Sequence, residues 1–268
     1  DVLFNSVVKN DVLTTEPMLA LSYEMEPSLD SAVFKLREGV QFHRGYGEMT
    51  ADDVKFSYDD ANSTTSPKSI HGQADDFAAL IQEIEVVDDY TLKVNHRNYD
   101  SRGPLHRFSL FWKTAGIVSS AVFREHGLSG MQNVFVGVGA FTNEEWSQGG
   151  KIVGHAFVDY WGASLGQGPF VEKVIFLEVP EPSSRAGLLE TGEVQIAQVQ
   201  SKDYSSLMEK GFLPNKDAQH NLIHNVSMVG NYWEKYSSLD ESILNRRQDT
   251  SLPWIGNPFE NGSYDENS

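Results

Sequence analysis

Between Val171 and Met228 the chain alternates β-rich and helical text in a fixed order, and no other stretch narrows the possible folds as much. Val171 to Val179 reads as a strand. Pro182 stands at a first helical position, and the helical text runs to Thr191 with Gly192 as its C-terminal stop. Val194 to Val199 reads as a second strand. Ser201 caps a helix that reaches Lys210 and closes at Gly211, and Leu222 to Met228 reads as a third strand. Parallel strands cannot be joined by a tight turn, so this β-α-β-α-β order implies a mostly parallel sheet with right-handed crossovers. The class is α/β.

The rest of the chain adds antiparallel pieces. Asp1 to Val8 reads as a strand already under way, which leads us to expect processing or truncation before residue 1. Ala32 to Val40 is strand-like although Val33 and Leu36 fall off a strict alternation, and Gly39 ends it. Thr50 with Asp53 three residues on is an acidic variant of the capping box, followed by Val54, Tyr58 and Ala61 at helical spacing. Ile84 to Val86 and Leu92 to Val94 alternate around Asp88-Asp89, a hairpin signature. Ala140 to Trp146 and Lys151 to Val158 form a second hairpin around Ser147 to Gly150. Beyond Trp233 the periodicity fades, and residues 234–268 hold only isolated aromatics such as Trp254 and Phe259.

Charge and composition exclude whole classes of function. At 268 residues the chain can hold one large domain or two ordinary ones. Its 38 acidic against 21 basic residues leave a net charge of −17, which repels nucleic acid and anionic membrane surfaces. There is no cysteine, so disulfides, thiolate catalysis and zinc–thiolate sites are all ruled out. No apolar run approaches the ~18 residues of a membrane span.

The motifs that could carry chemistry fail on context. Gly162-Ala-Ser164-Leu-Gly166 matches a G-x-S-x-G nucleophile elbow, but Gln167-Gly168-Pro169 follows where a helix must start. Gly137-Val-Gly139 opens like a dinucleotide fingerprint, yet Thr142 replaces the third glycine and a hairpin follows. His220 and His224 share a strand face about 13 Å apart, too far for one metal. The acidic doublets Asp52-Asp53, Asp59-Asp60, Asp75-Asp76 and Asp88-Asp89 suit helix starts and turns better than acid–base pairing. His43 and Tyr46 could serve acid–base chemistry, but they sit in a loop between strand and helix without a partner at a committed spacing, and a packed corner is the expectation. No cofactor and no metal site is expected.

Five blocks in register resemble the family 5 extracellular solute-binding proteins, the peptide, dipeptide and nickel receptors of ABC importers. They are LREGVQFH (36–43) with TADDVKFS (50–57), VVDDYTL (86–92), GVGAF (137–141) with Trp146, VDYWG (158–162), and LETGEVQ (189–195). Val138, Ala140 and Gln195 depart from the family pattern. The resemblance implies a periplasmic-binding-protein-like fold of class II, with a cleft between lobes that close around a solute. It places domain I, a mixed sheet, at residues 1–6 and 134–232, an inserted α+β domain II at 7–133, and a linker at 233–268 toward a domain III that the chain is expected to lack. It nominates Gln198, Val199, Gln200, Ser227 and Asn231 as cleft residues and none as catalytic. The implied role is periplasmic or otherwise extracytoplasmic capture of a peptide-like or other small solute, as a monomer, for delivery to ABC permease subunits. Two alternatives are a hydrolase using Ser164 or a carboxylate pair, and a receptor fold reused for signalling or chaperoning.

Overall fold

A computed structural model describes residues 1–215, apart from positions 11, 100, 102–106, 111–114, 132 and 148. Residues 1–214 form one compact unit. Its strands make three sheets, of two, four and three strands.

The four-stranded sheet turns one face to the core. It is built from β3 (Ala20–Met25), β4 (Ser31–Leu36), β5 (Ile81–Asp88) and β6 (Thr91–His96). In the central strands Ala32, Phe34, Leu36, Leu92 and Val94 are buried, while Lys35, Lys93 and Asn95 lie on the wetter face. That alternation is what one covered face requires. The expected β5–β6 hairpin is present, and its turn is fixed by Asp88 Oδ1 accepting from the Tyr90 amide at 2.9 Å. Phe34 packs edge-on against Phe108, with centroids 4.9 Å apart, and Tyr58 packs edge-on against Phe77 at 5.3 Å.

Helix α1 (Ala51–Asp60) starts where the sequence places it. Asp53 Oδ2 accepts from the Thr50 amide at 3.0 Å, the acidic half of a capping box. Its other oxygen does unforeseen work, accepting from the amide and the hydroxyl of Ser120 at 2.9 and 2.8 Å. Ser120 opens α3 (Ser120–Met131), so one buried carboxylate joins two helix starts. Helix α2 (Ala74–Leu80) leads directly into β5. The β5–β6 turn docks on α1 through the Ala51 amide and the Asp89 carbonyl.

A two-stranded ribbon, β1 (Phe4–Lys9) with β2 (Val12–Pro17), meets the core through Phe4. The second expected hairpin is β7 (Phe141–Trp146) with β8 (Lys151–Ala156), extended by β9 (Lys173–Leu177). The apolar cluster runs without a break from Phe34 and Leu92 to Val138, Tyr160 and Trp161.

One expectation is corrected. Val194–Val199 is irregular, with a bend at Gln195, and joins no ladder among the described residues, and β9 pairs antiparallel with β8. A strand needs a neighbour as well as apolar alternation, and Ile196 is 89% exposed with no paired strand beside it among the described residues. The helices around it are correct. Helix α4 (Pro182–Thr191) has Pro at its first turn and Gly192 in the left-handed region at φ 77°. A 3-10 turn at Ser201–Asp203 leads into α5 (Tyr204–Glu209), and Gly211 follows with φ 92°. Leu222–Met228 and residues 233–268 lie outside the described residues. No described helix is long and apolar enough to cross a membrane.

Candidate functional site

The nominated cleft loop, Gln198 to Gln200, is held between α4 and the Ser201–Asp203 turn. Gln198 and Gln200 are exposed and Val199 is half-buried. At its far end the Gln200 carbonyl accepts from the Asp203 amide at 2.9 Å. At its near end the Leu188 carbonyl accepts from the Glu193 and Val194 amides, the hydrogen-bond closure expected after a left-handed glycine cap.

A residue that sequence reading missed ties the middle of this loop. Arg185 on α4 donates from Nε to the Gln198 carbonyl at 2.7 Å. Its Nη1 donates to the carbonyls of Val179 and Pro180, at 2.8 and 2.9 Å. The exit of β9 and the nominated loop therefore share one guanidinium. Only a long cation one turn into the helix hinted at this. The structure thus ties Gln198 to the strand exit through Arg185, with Val199 and Gln200 next in the chain, while Ser227 and Asn231 lie outside the described residues. The loop offers amides and backbone groups, which form hydrogen bonds but do not move protons at neutral pH.

The corner at residues 43–47 has the opposite character. His43 is 5% exposed. Its Nδ1 accepts from the Gly137 amide at 3.3 Å, which leaves the ring proton on Nε2, and Nε2 donates to the Gly139 carbonyl at 2.8 Å. The His43 amide also donates to the Gly137 carbonyl. Both ring nitrogens are committed to backbone, so no lone pair remains for a general base. Burial lowers its pKa, keeping the ring neutral. Gly137-Val-Gly139 is the segment this ring grips, as a structural glycine pair, and Val138 is fully buried. Tyr46 bonds His126 Nε2 at 2.8 Å, and burial followed by the Glu125 charge raises its pKa.

The remaining motifs are equally placed by geometry. Ser164 lies in a 3-10 turn, Trp161–Leu165, and its Oγ donates to the Trp161 carbonyl at 3.2 Å. No strand drives into that turn, so it lacks the elbow that exposes a nucleophile. Of the acidic doublets, Asp53 caps α1, Asp75 and Asp76 open α2, Asp59 pairs with Lys55 at 2.9 Å, and Asp88 closes a turn. His220 and His224 lie outside the described residues. Among the described residues no group of three or more His, Asp or Glu side chains could hold a metal. A polar cavity of about 240 Å³ lies at the β5–β6 bulge, lined by Asp30, Glu83, Lys93, Asn95 and His96 and by none of the nominated residues. His96 is 8% exposed with no hydrogen-bond partner at either ring nitrogen, and burial lowers its pKa against the opposing pull of Asp30.

The profile of the bacterial extracellular solute-binding proteins, family 5 Middle, matches residues 14–239. The oligopeptide-binding protein AppA of Bacillus subtilis (strain 168) is 26% identical over 183 residues, 64% of this chain and 30% of that protein. The dipeptide-binding protein of Escherichia coli (strain K12) is 28% identical over 214 residues, 72% of this chain and 38% of its own. Among solved structures, the binding protein MoaA of A. tumefaciens R10 in complex with mannopinic acid superposes with a TM-score of 0.63 at 26% identity, covering 78% of this chain and 40% of that one. The chain spans well under half the length of each of these proteins.

Proposed function

We propose that this chain, which belongs to the bacterial extracellular solute-binding proteins of family 5, forms part of a receptor that captures a peptide-like solute outside the cytoplasmic membrane and delivers it to the permease of an ABC importer. The observation that carries this reading is the family match across residues 14–239. The site chemistry agrees with it. The nominated loop is neutral and rich in amides, the imidazole that most resembled a catalytic base is used up in holding backbone, and the serine of the G-x-S-x-G match sits in the wrong turn.

Residues 1–6 and 134–232 form domain I in this reading, 7–133 domain II, and 233–268 a linker. Gln198, Val199 and Gln200, with Ser227 and Asn231, face the solute. Affinity comes from cleft burial and hydrogen bonds to the solute backbone, and closure is favoured because solute touches both lobes. Two relatives named for oligopeptide and dipeptide binding favour a peptide-like solute.

A thermal-shift series on the full-length protein with alanine peptides of two to five residues tests this. Ligand at a hundredfold excess over its Kd stabilises the bound state by about 2.7 kcal/mol, a rise of several degrees in Tm. A melting temperature unmoved by every peptide and by a wider panel of small solutes overturns the proposal.

A further inference from the structure

We infer that Arg185 is the positioning residue of the solute loop: its guanidinium bolts the Gln198 carbonyl to the exit of β9 and so sets where Gln198 to Gln200 present their amides. The inference rests on the reading of that loop as part of the solute site. Residues 194–199 join no ladder among the described residues. The loop is fastened at Val194 to Leu188 and at Gln200 to Asp203, and between these the Arg185 bond to Gln198 is the tie at its centre.

Three carbonyls lie on two edges of one planar group, Gln198 on Nε and Val179 with Pro180 on Nη1. A guanidinium serves both edges at once, whereas a lysine ammonium is a point donor on a flexible stem and cannot span them. A loop fixed in advance need not be ordered when solute arrives, so its contacts go into affinity. Each exposed glutamine offers one amide carbonyl and one amide N–H₂, which complement the N–H and C=O of a peptide bond. Arg185 touches no solute group in this scheme; it acts through the loop.

The test uses the full-length protein with Arg185→Ala, Arg185→Lys and a control, Glu190→Ala, which removes an exposed ion pair to Lys210 at 2.8 Å from the same helix. Two readouts are taken well below the melting transition. One is the rate of native-state trypsin cleavage after Lys202, just beyond the loop, followed by mass spectrometry. The other is calorimetric affinity for alanine peptides of two to five residues.

Both Arg185 variants are expected to be cut about tenfold faster after Lys202 and to bind peptide about tenfold more weakly, with the control unchanged in both. If Arg185→Ala fails to fold, Arg185→Lys carries the test. Unchanged cleavage overturns the tie. Faster cleavage with full affinity overturns the positioning role while peptide binding by the wild type leaves the functional reading standing. A wild type that binds no peptide overturns that reading first, and this inference with it.

Discussion

Replacing His43 with alanine should destabilise the fold by about 3–4 kcal/mol, and the structure sets that figure. The substitution leaves the Gly137 amide and the Gly139 carbonyl without their partner. Both glycines are half-buried, and such a group costs roughly 1–3 kcal/mol when unpaired, toward the lower end where water can enter. The ring also packs edge-on against Phe157 with centroids 4.8 Å apart, a contact worth about 0.5–1.5 kcal/mol. Urea unfolding of the purified chain should therefore show a lower midpoint at an unchanged m-value. The same histidine leaves a mark on pH dependence. Its folded pKa is lowered by burial, so below the unfolded value of about 6.5 the unfolded chain binds a proton that the folded chain refuses. Stability is then fully present above pH ~6.5 and falls as pH drops toward the folded pKa, by at most about 1.4 kcal/mol per pH unit for one group. His96, lowered for the same reason, adds a second such contribution. Alanine at position 43 should remove one of the two. A loss under about 1 kcal/mol, together with an unchanged slope below pH 6.5, would refute the assignment of His43 as a backbone clip.

Three further outcomes follow from the packing. Asp53→Ala should destabilise by about 3 kcal/mol, because the Thr50 and Ser120 amides lose a buried carboxylate, and Asp53→Asn should cost about half as much by keeping one acceptor oxygen; equal effects from the two would contradict the shared cap. Phe34→Ala should cost about 3–5 kcal/mol, whereas Phe176→Ala, at a side chain 63% exposed on β9, should stay within about 0.5 kcal/mol in this chain. Denaturant midpoints compare them directly. Ultraviolet titration should reveal a phenol near 12, since Tyr90 donates to Glu48 at 2.8 Å and that hydrogen bond raises its pKa to about 12; Glu48→Gln should return it toward 10.

Local signals were the ones legible in the sequence. Thr50 with Asp53, Pro182 with Gly192, and the two hairpins are specified by residues a few positions apart, and all four stand where the text placed them. Features built from distant partners were invisible. His43 and the glycine pair it holds are 94 and 96 residues apart, and Asp53 and Ser120 are 67 apart. Helix α3 escaped notice because Gly127 interrupts it at φ 66°, breaking the periodicity that marks a helix. Strand β2 has half-buried residues on both sides, so it shows no alternation. The difference at Val194–Val199 has the same root: alternation proposes a strand, but no ladder partner stands beside it among the described residues. Of the site, the loop was named from family likeness and its anchor Arg185 was not, since nothing in the spacing shows that one guanidinium will meet three carbonyls.

In the proposed function the protein holds a solute and gives it back unaltered. Isothermal titration of the full-length protein with alanine peptides, followed by release and mass analysis of the peptide, tests it most directly. Saturation at one peptide per protein, with every recovered peptide at its original mass, is the expected result. Cleaved peptide, or no heat of binding from any member of the series, would contradict it.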